Sequence, residues 1–126
     1  MAYDAYATED DFYEILPDSA VDVTETDLLQ ASRHVDSLTY NRIVATGFDN
    51  LTEFQQDIIK EVVCRQALFE VENADAISSV LSSYSINGVS MQFGDAWNVF
   101  TDHGVAMRRD VYSLLQQTGL CVRVLL

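Results

Sequence analysis

The chain has 126 residues, of which 48% are hydrophobic and 21% charged, as in an ordinary single globular domain. No apolar run approaches the roughly 18 residues that would indicate a membrane span. Met1-Ala2-Tyr3-Asp4 lacks the basic and then apolar pattern of a secretory signal. Cys64 and Cys121 are too few and too scattered for a disulfide framework, and we expect buried thiols of a cytosolic protein.

The charge is large and unevenly distributed. The net charge is −13, and residues 1–75 hold 17 of the 20 acidic residues but only 4 of the 7 basic ones. The first 27 residues contain nine acids and no basic residue. Such a surface repels nucleic acid and anionic lipid. It fits a face that keeps a small protein soluble, a channel wall that does not hold passing DNA, or a decoy that imitates DNA.

Three helices are predicted in the first 75 residues. Thr8 caps a short helix over residues 9–16, which Pro17 closes. Thr24 caps a second helix, with Asp27 in its favourable first turn. The segment Thr52-Glu53-Phe54-Gln55 is a capping box that opens a third helix, running to about residue 72.

Apolar spacing predicts which faces these helices bury. In the second helix the apolar positions follow at intervals of three and four: Leu28, Ala31, Val35 and Leu38. Gly47 marks a turn after it. The third helix carries a broad apolar surface: Phe54, Ile58, Val62 and Phe69, widened by Ile59, Val63 and Ala67. A helix with so wide an apolar face is expected to be central or shared with a neighbouring subunit.

The pattern changes in the C-terminal part. Alternation around Asn87-Gly88 predicts a β-hairpin with strands at residues 82–86 and 89–93. A last helix is predicted from about Val105 to Gln117, with Met107, Val111, Leu114 and Leu115 on one face and Gly119 ending it. The chain ends in a short apolar strand. The predicted fold is a small, mainly helical bundle of about four helices with one hairpin and a C-terminal strand, in one domain over residues 1–126. Its parts include an acidic segment (1–23), the hairpin (82–93) and the tail (119–126).

The sequence offers little for catalysis. It has neither a phosphate-binding loop nor a dinucleotide-binding glycine motif, so no cofactor is expected. His34 and Asp36 point to different sides of a helix, so no local metal pair forms. His103, before the last helix, is explained by a polar position near a helix start. Cys64 could serve as a nucleophile with a histidine, but its apolar neighbours favour a buried thiol. We predict no catalytic, cofactor-binding or metal-binding residues, and no enzyme.

Three stretches follow one another along the chain. The first is Ala31-Ser32-Arg33-His34-Val35-Asp36-Ser37-Leu38-Thr39-Tyr40-Asn41-Arg42-Ile43. The second runs from Val63-Cys64-Arg65-Gln66-Ala67 into the Ser-rich hairpin Ser83-Tyr84-Ser85-Ile86-Asn87-Gly88-Val89-Ser90-Met91-Gln92-Phe93-Gly94. The third is Val111-Tyr112-Ser113-Leu114-Leu115-Gln116-Gln117-Thr118-Gly119-Leu120-Cys121-Val122-Arg123. In this order they resemble the head–tail connector (adaptor, or head-completion) proteins of long-tailed siphophages. The acidic segment up to Asp27 and the ending Cys121-Val122-Arg123 depart from the family pattern.

The resemblance implies a structural virion protein in a ring, usually dodecameric, that binds beneath the portal protein and extends the DNA channel to a tail-side stopper or tail-completion protein. It implies a place at the head–tail interface, host cytoplasm during assembly, no membrane, and DNA that passes during ejection without specific binding. We assign the portal contact to the tail: Leu120, Cys121, Val122, Arg123, Val124, Leu125 and Leu126. We assign a ring or tail-side contact to the hairpin and two arginines: Ser85, Ile86, Asn87, Gly88, Val89, Ser90, Met91, Phe93, Arg108 and Arg109.

Two other readings remain open. An acidic inhibitor that imitates DNA would use the same charge to occupy the basic groove of a host enzyme, but it gives no reason for the hairpin and the apolar tail. A small enzyme could assemble its site between subunits, from serine, cysteine and histidine side chains of two copies. Loss of an activity when His34, His103 and Cys64 are replaced together would favour the enzyme.

Overall fold

The computed structural model describes residues 5–18, 22–74, 89–93, 97–102 and 105–121. The helices are α1 (Glu9–Ile15), α2 (Glu25–Leu38), α3 (Arg42–Thr46), α4 (Glu53–Glu72) and α5 (Arg109–Gln116), with a 3-10 turn at Phe48–Asn50. The strands are β1 (Val89–Phe93), β2 (Trp97–Asp102) and β3 (Val105–Arg108). The predicted small, mainly helical bundle is confirmed.

The first helices begin where the capping residues predict. Thr8, Thr24 and Thr52 each accept a hydrogen bond from the backbone N–H three residues later, through their hydroxyl oxygens. The side chain at that third position accepts from the threonine N–H in return, which completes a capping box each time. The starts of α1, α2 and α4 are therefore specified locally.

Helix α4 is the central element, and it packs against α1, α2, β3 and α5. Its apolar surface enters the core as predicted, and Ile59, Val62 and Val63 are fully buried. Phe54, the first residue of the predicted stripe, is instead 58% exposed. The wide apolar surface of α4 is thus used within the subunit, apart from its first turn.

Helix α2 buries the predicted face, since Leu28, Ala31 and Val35 are fully buried and Leu38 nearly so. After it the chain turns through Tyr40 and Asn41, both with positive φ angles of 57° and 60°. The short helix α3 follows, which the fading apolar pattern did not predict. Gly47 then reverses the chain with a φ of 89°, as expected of a turn.

The three strands form an antiparallel sheet in the order β1-β2-β3. Met91 lies opposite Val99 in the first pair, and Phe100 lies opposite Met107 in the second. The predicted strand at residues 89–93 is confirmed, and its partner within the described residues is β2 on its C-terminal side. The other predicted strand, residues 82–86, and the turn at Asn87-Gly88 lie outside the described residues.

The predicted start of the last helix is wrong by four residues. The segment Val105–Arg108 is strand β3, paired with β2, and the helix begins only at Arg109. Met107 is buried as expected, but it belongs to strand β3 and not to a helix. Its spacing from Val111 fits a helix, whereas antiparallel pairing with the preceding strand β2 sets the actual conformation. The predicted C-terminal strand is a turn as far as Cys121, and residues 122–126 lie outside the described residues.

Candidate partner-binding surfaces

Two side chains from the N-terminal half hold the chain after α5. The Arg42 guanidinium Nη1 donates to the Leu120 carbonyl oxygen at 3.0 Å. The Gln55 amide Nε2 donates to the Thr118 carbonyl oxygen at 2.9 Å. We call Arg42 and Gln55 the C-terminal clamp. Because carbonyls just after a helix lack partners within that helix, the clamp supplies donors where the chain leaves α5.

Further hydrogen bonds order the turn from Thr118 to Leu120, the two residues that the clamp holds. The Thr118 hydroxyl donates to the Leu115 carbonyl at 2.8 Å and accepts from the Leu120 N–H at 3.2 Å. Gly119 lies between them with a φ of 77°, a conformation that glycine adopts without strain. Leu120 and Cys121 then pack, half-buried, against the core. Of the predicted portal contact, these two residues therefore belong to the folded domain.

Arg42 is positioned by an unusual turn. Tyr40 and Asn41 are consecutive non-glycine residues in the left-handed region. Asparagine tolerates this region better than tyrosine, and such a residue costs about 1–3 kcal/mol. The Asn41 N–H donates to the Asp36 carbonyl at 2.8 Å, and the Arg42 guanidinium lies 5.0 Å from the centre of the Tyr40 ring. The turn directs Arg42 towards the C-terminal segment.

The predicted ring or tail-side contact is only partly within the described residues. Val89, Ser90, Met91 and Phe93 form β1, an outer strand of the sheet as far as the structure describes it. Outer strands can pair with a further strand from a partner. Residues 85–88 lie outside the described residues.

At the start of α5, Arg108 has a local carboxylate partner. Arg108 Nη2 donates to an Asp110 carboxylate oxygen at 3.1 Å, and the other oxygen of that carboxylate accepts from the Val111 N–H at 2.9 Å. Asp110 thus offers a carboxylate to Arg108 from the same turn. Arg108 also lines a groove of about 350 Å³ between α1, α4 and α5, together with Arg65 and Phe69.

The acidic N-terminal residues gather at two adjoining helix starts. Glu9, Asp10 and Asp11 occupy the first turn of α1. The Glu9 carboxylate accepts the backbone N–H of Glu25, the first residue of α2, at 3.0 Å. Negative charge is favourable at both of these positive helix ends. The acids are thus placed together on the surface by helix capping, which accounts for them without a bound ion.

His34 and Cys64, the candidates for chemistry within the described residues, lie in different environments. His34 Nδ1 contacts a Glu70 carboxylate oxygen. Asp36 instead accepts from the Tyr6 hydroxyl at 2.6 Å, so the predicted separation of His34 and Asp36 is confirmed. Cys64 is fully buried, as expected, and burial raises the pKa of its thiol to about 12. A thiol with that pKa is a poor nucleophile near neutral pH. His103 lies outside the described residues.

The buried side-chain amide of Gln66 links Glu70, the residue that contacts His34, to strand β3. Gln66 Nε2 donates to Glu70 at 2.8 Å and to the Ala106 carbonyl oxygen of β3 at 2.8 Å. Gln66 is 1% exposed. Its own carbonyl oxygen has no hydrogen-bond partner in the part of the chain that the structure describes. The Gln66 amide connects α4 to β3 inside the protein, so we assign it a structural role and do not count it as a partner-binding surface.

Neither a metal-binding group nor a membrane-spanning helix is found among the described residues. They contain no group of three or more His, Cys, Asp or Glu side chains that could hold a metal ion. No helix among them is long and apolar enough to cross a bilayer. No protein-family model matches the chain, and no curated protein or solved structure is similar to it at a significant level.

The sequence does not predict the clamp. Gln55 caps α4 as expected, but its second hydrogen bond, to the Thr118 carbonyl, joins residues 63 positions apart. Arg42 reaches across 78 positions. Asn41 directly after a helix was the one available signal, because asparagine is enriched in left-handed turns. Asn41 indicates a turn, but it gives no information on which group the Arg42 side chain contacts.

Proposed function

We propose that the chain is a structural subunit of a tailed-phage head–tail connector, one of a ring of copies beneath the portal protein, and that it catalyses no reaction. The observation that carries the proposal is the pair of hydrogen bonds that holds the chain after α5. Thr118 and Leu120 are fixed to the helical core by Gln55 and Arg42, and the apolar sequence Val122-Arg123-Val124-Leu125-Leu126 follows at once. An apolar segment that starts at a fixed surface point suits strand addition to a partner, with main-chain hydrogen bonds giving affinity.

The acidic surface also supports a place around DNA. Glu9, Asp10 and Glu25 are exposed at the adjoining starts of α1 and α2. A surface with the same sign of charge as the phosphate backbone gains nothing from counterion release. DNA therefore moves past such a wall without binding to it.

Exposed apolar side chains offer contacts between copies. Phe54 and Val44 are 58% and 57% exposed although most large apolar side chains of α2 and α4 are buried. Closed rings need two different complementary patches on each subunit. In this proposal Phe54 and the outer strand β1 are contacts with neighbouring copies or with the tail-side protein.

The test is the mass of the purified protein by light scattering, alone and with the portal protein of the same phage. We expect a ring, or a monomer that joins the portal in many copies. The matched variants delete residues 122–126 or replace them with a Gly-Ser segment of equal length. Both should abolish portal binding and leave the helical circular dichroism unchanged, because all the described helices and the clamp on Thr118 and Leu120 lie within residues 5–121.

Two results would contradict the proposal. The first is a stable monomer or dimer that ignores the portal and inhibits a DNA-binding enzyme, which would establish the DNA mimic. The second is full portal affinity in the variant without residues 122–126, which would remove the assigned contact.

A further inference from the structure

Helix α4 presents an exposed aromatic ring and an exposed carboxylate together near its start. Phe54 is 58% exposed. Asp57, which is also exposed, follows three residues later and therefore lies on the same side of the helix. The Asp57 carboxylate makes no hydrogen bond or ion pair to another described residue. Tyr13, another exposed aromatic residue, already donates its hydroxyl to Asp22 at 3.2 Å. We call Phe54 and Asp57 the α4 knob.

A groove with the complementary chemistry lies near the other end of α4. Its volume is about 350 Å³, near the lower limit for a ligand site. Leu68, Phe69 and Val111 line it with apolar atoms, and Arg65 and Arg108 bring two guanidinium groups to it. The groove, which we call the arginine groove, therefore suits one large apolar side chain accompanied by a carboxylate.

Arg65 keeps hydrogen-bond donors that its local partner does not use. Its Nε donates to the Glu61 carboxylate at 2.9 Å, and the two terminal nitrogens carry the other four N–H donors of the guanidinium. The two side chains of this ion pair are 42% and 37% exposed, and such exposed pairs contribute at most about 1 kcal/mol. The local pair therefore leaves Arg65 able to bind a second carboxylate.

Charge limits where two copies of this chain can meet. The net charge is −13, so two copies repel each other unless acidic groups of one face basic groups of the other. The lining of the arginine groove has two arginines and one acidic residue, Glu72, and is thus positive on a strongly negative molecule. A carboxylate on a neighbouring copy meets the required opposite charge there.

The α4 knob and the arginine groove are far apart on one subunit. With a rise of 1.5 Å per residue, Phe54 and Phe69 lie roughly 22 Å apart along the helix. The knob of a subunit therefore cannot fill the groove of the same subunit. A knob at one end and a matching groove at the other make a head-to-tail contact, and such contacts close into rings when the rotation between copies allows it.

We propose that the arginine groove is the binding site for the α4 knob of a neighbouring copy. The Phe54 ring packs against the apolar lining that includes Phe69. The Asp57 carboxylate binds between Arg65 and Arg108 of that neighbour. This inference rests on the proposed function and names the contact that joins copies in the ring. Burial of the aromatic ring supplies affinity, and the opposite charges determine which surfaces meet.

Reversing one charge on each side separates this contact from other causes of association. Asp57→Lys leaves the groove intact, and Arg65→Glu leaves the knob intact. Each variant alone places like charges against each other across the contact. In a mixture, the introduced lysine of one variant meets the introduced glutamate of the other, and the unchanged knob meets the unchanged groove. The matched controls, Asp10→Lys and Arg33→Glu, make the same charge changes at exposed positions of α1 and α2.

Sedimentation over a range of protein concentrations measures association, alone or with the portal protein, in whichever condition the wild type assembles. Each reversal variant should associate about tenfold more weakly or worse, because like charges in an interface cost several kcal/mol. The equal mixture of the two should recover most of the assembly. The control variants should assemble like the wild type, and helical circular dichroism should stay unchanged throughout. If a reversal variant loses helix, Asp57→Asn and Arg65→Gln remove the charges alone and should weaken association severalfold.

Four outcomes count against the inference. Wild-type assembly of both reversal variants on their own would overturn it, and the ring itself would stand. Loss of assembly that the mixture does not restore would show that the two residues do not face each other. Recovery that stops at a dimer would establish a two-fold contact in place of the head-to-tail one. A wild-type chain that neither self-associates nor joins the portal would refute the proposed function as well.

Discussion

Helices α1, α2 and α4 each begin at a threonine that caps the helix through its own side chain. Helix α5 begins differently: Arg108 ends β3 and makes no side-chain cap, and the first turn relies on Asp110. Helices α1, α2 and α4 thus start at locally specified positions, whereas α5 starts where the sheet pairing of β3 stops. The start of α5 therefore depends on the pairing of β3 with β2 and on the packing of β3 against α4, and disturbing β3 should affect the whole fold.

The largest effect should come from the core that joins the two regions. Ile59 of α4 and Met107 of β3 are both fully buried and belong to one cluster. Replacing either with alanine removes buried methylene groups and leaves a cavity, which costs roughly 2–5 kcal/mol. Denaturant unfolding followed by helical circular dichroism and by fluorescence should show one lowered midpoint for each variant. A Met107→Ala variant whose helices unfold at the wild-type midpoint would mean that the two regions are independent.

A smaller effect is expected at the polar link between the regions. Gln66→Leu keeps a side chain of similar size but removes the donor to the Ala106 carbonyl and to Glu70. A buried acceptor that loses its partner costs about 1–3 kcal/mol. The unpartnered Gln66 oxygen disappears in the same variant, so we expect the lower part of that range. The control is Gln116→Leu on the exposed side of α5, and equal free energies of unfolding for the two variants would show that the link contributes nothing.

These two regions also differ in how much the sequence could predict. The capping boxes at Thr24 and Thr52 depend on residues three positions apart, so the starts of α2 and α4 were predicted correctly. The apolar spacing from Leu28 to Leu38 likewise identified the buried face. By contrast, β2 was not predicted. The helical spacing of Met107 and Val111 predicted a helix over residues 105–108, which form strand β3.

The candidate surfaces show the same limit. Leu120 and Cys121 were assigned from the sequence to one apolar tail, but the structure fixes them to the domain through Arg42. A bond between residues 78 positions apart leaves no periodic signal in the chain. The excess of acidic residues is visible in the sequence. The hydrogen bond from the Glu25 N–H at the start of α2 to the Glu9 carboxylate could not be predicted from it.

The local character of the helix starts can be measured directly. Thr24→Ala and Thr52→Ala each remove a capping hydroxyl and should lower the free energy of unfolding by about 1 kcal/mol. Thr24→Ser retains the hydroxyl and should remain near the wild type. Urea titrations of the three variants provide the comparison. A loss in Thr24→Ser as large as in Thr24→Ala would show that packing of the methyl group, and not the cap, is responsible.

The smallest effect on stability is expected at the first turn of α4. Phe54 is 58% exposed whereas Phe69, near the other end of the helix, is 3% exposed. Exposed substitutions usually change stability by less than about 0.5 kcal/mol, so Phe54→Ser should unfold like the wild type, and Phe69→Ser should be strongly destabilised.

Phe54→Ser should nevertheless weaken association between copies if its ring packs against a neighbouring subunit. Sedimentation of the two proteins over a range of concentrations measures this separately from stability. Weaker association at unchanged stability would place Phe54 in the ring contact. Unchanged association would exclude it from that contact, because exposure alone allows a partner but does not establish one. Val44, strand β1 and the arginines Arg108 and Arg109 would then remain as described candidates.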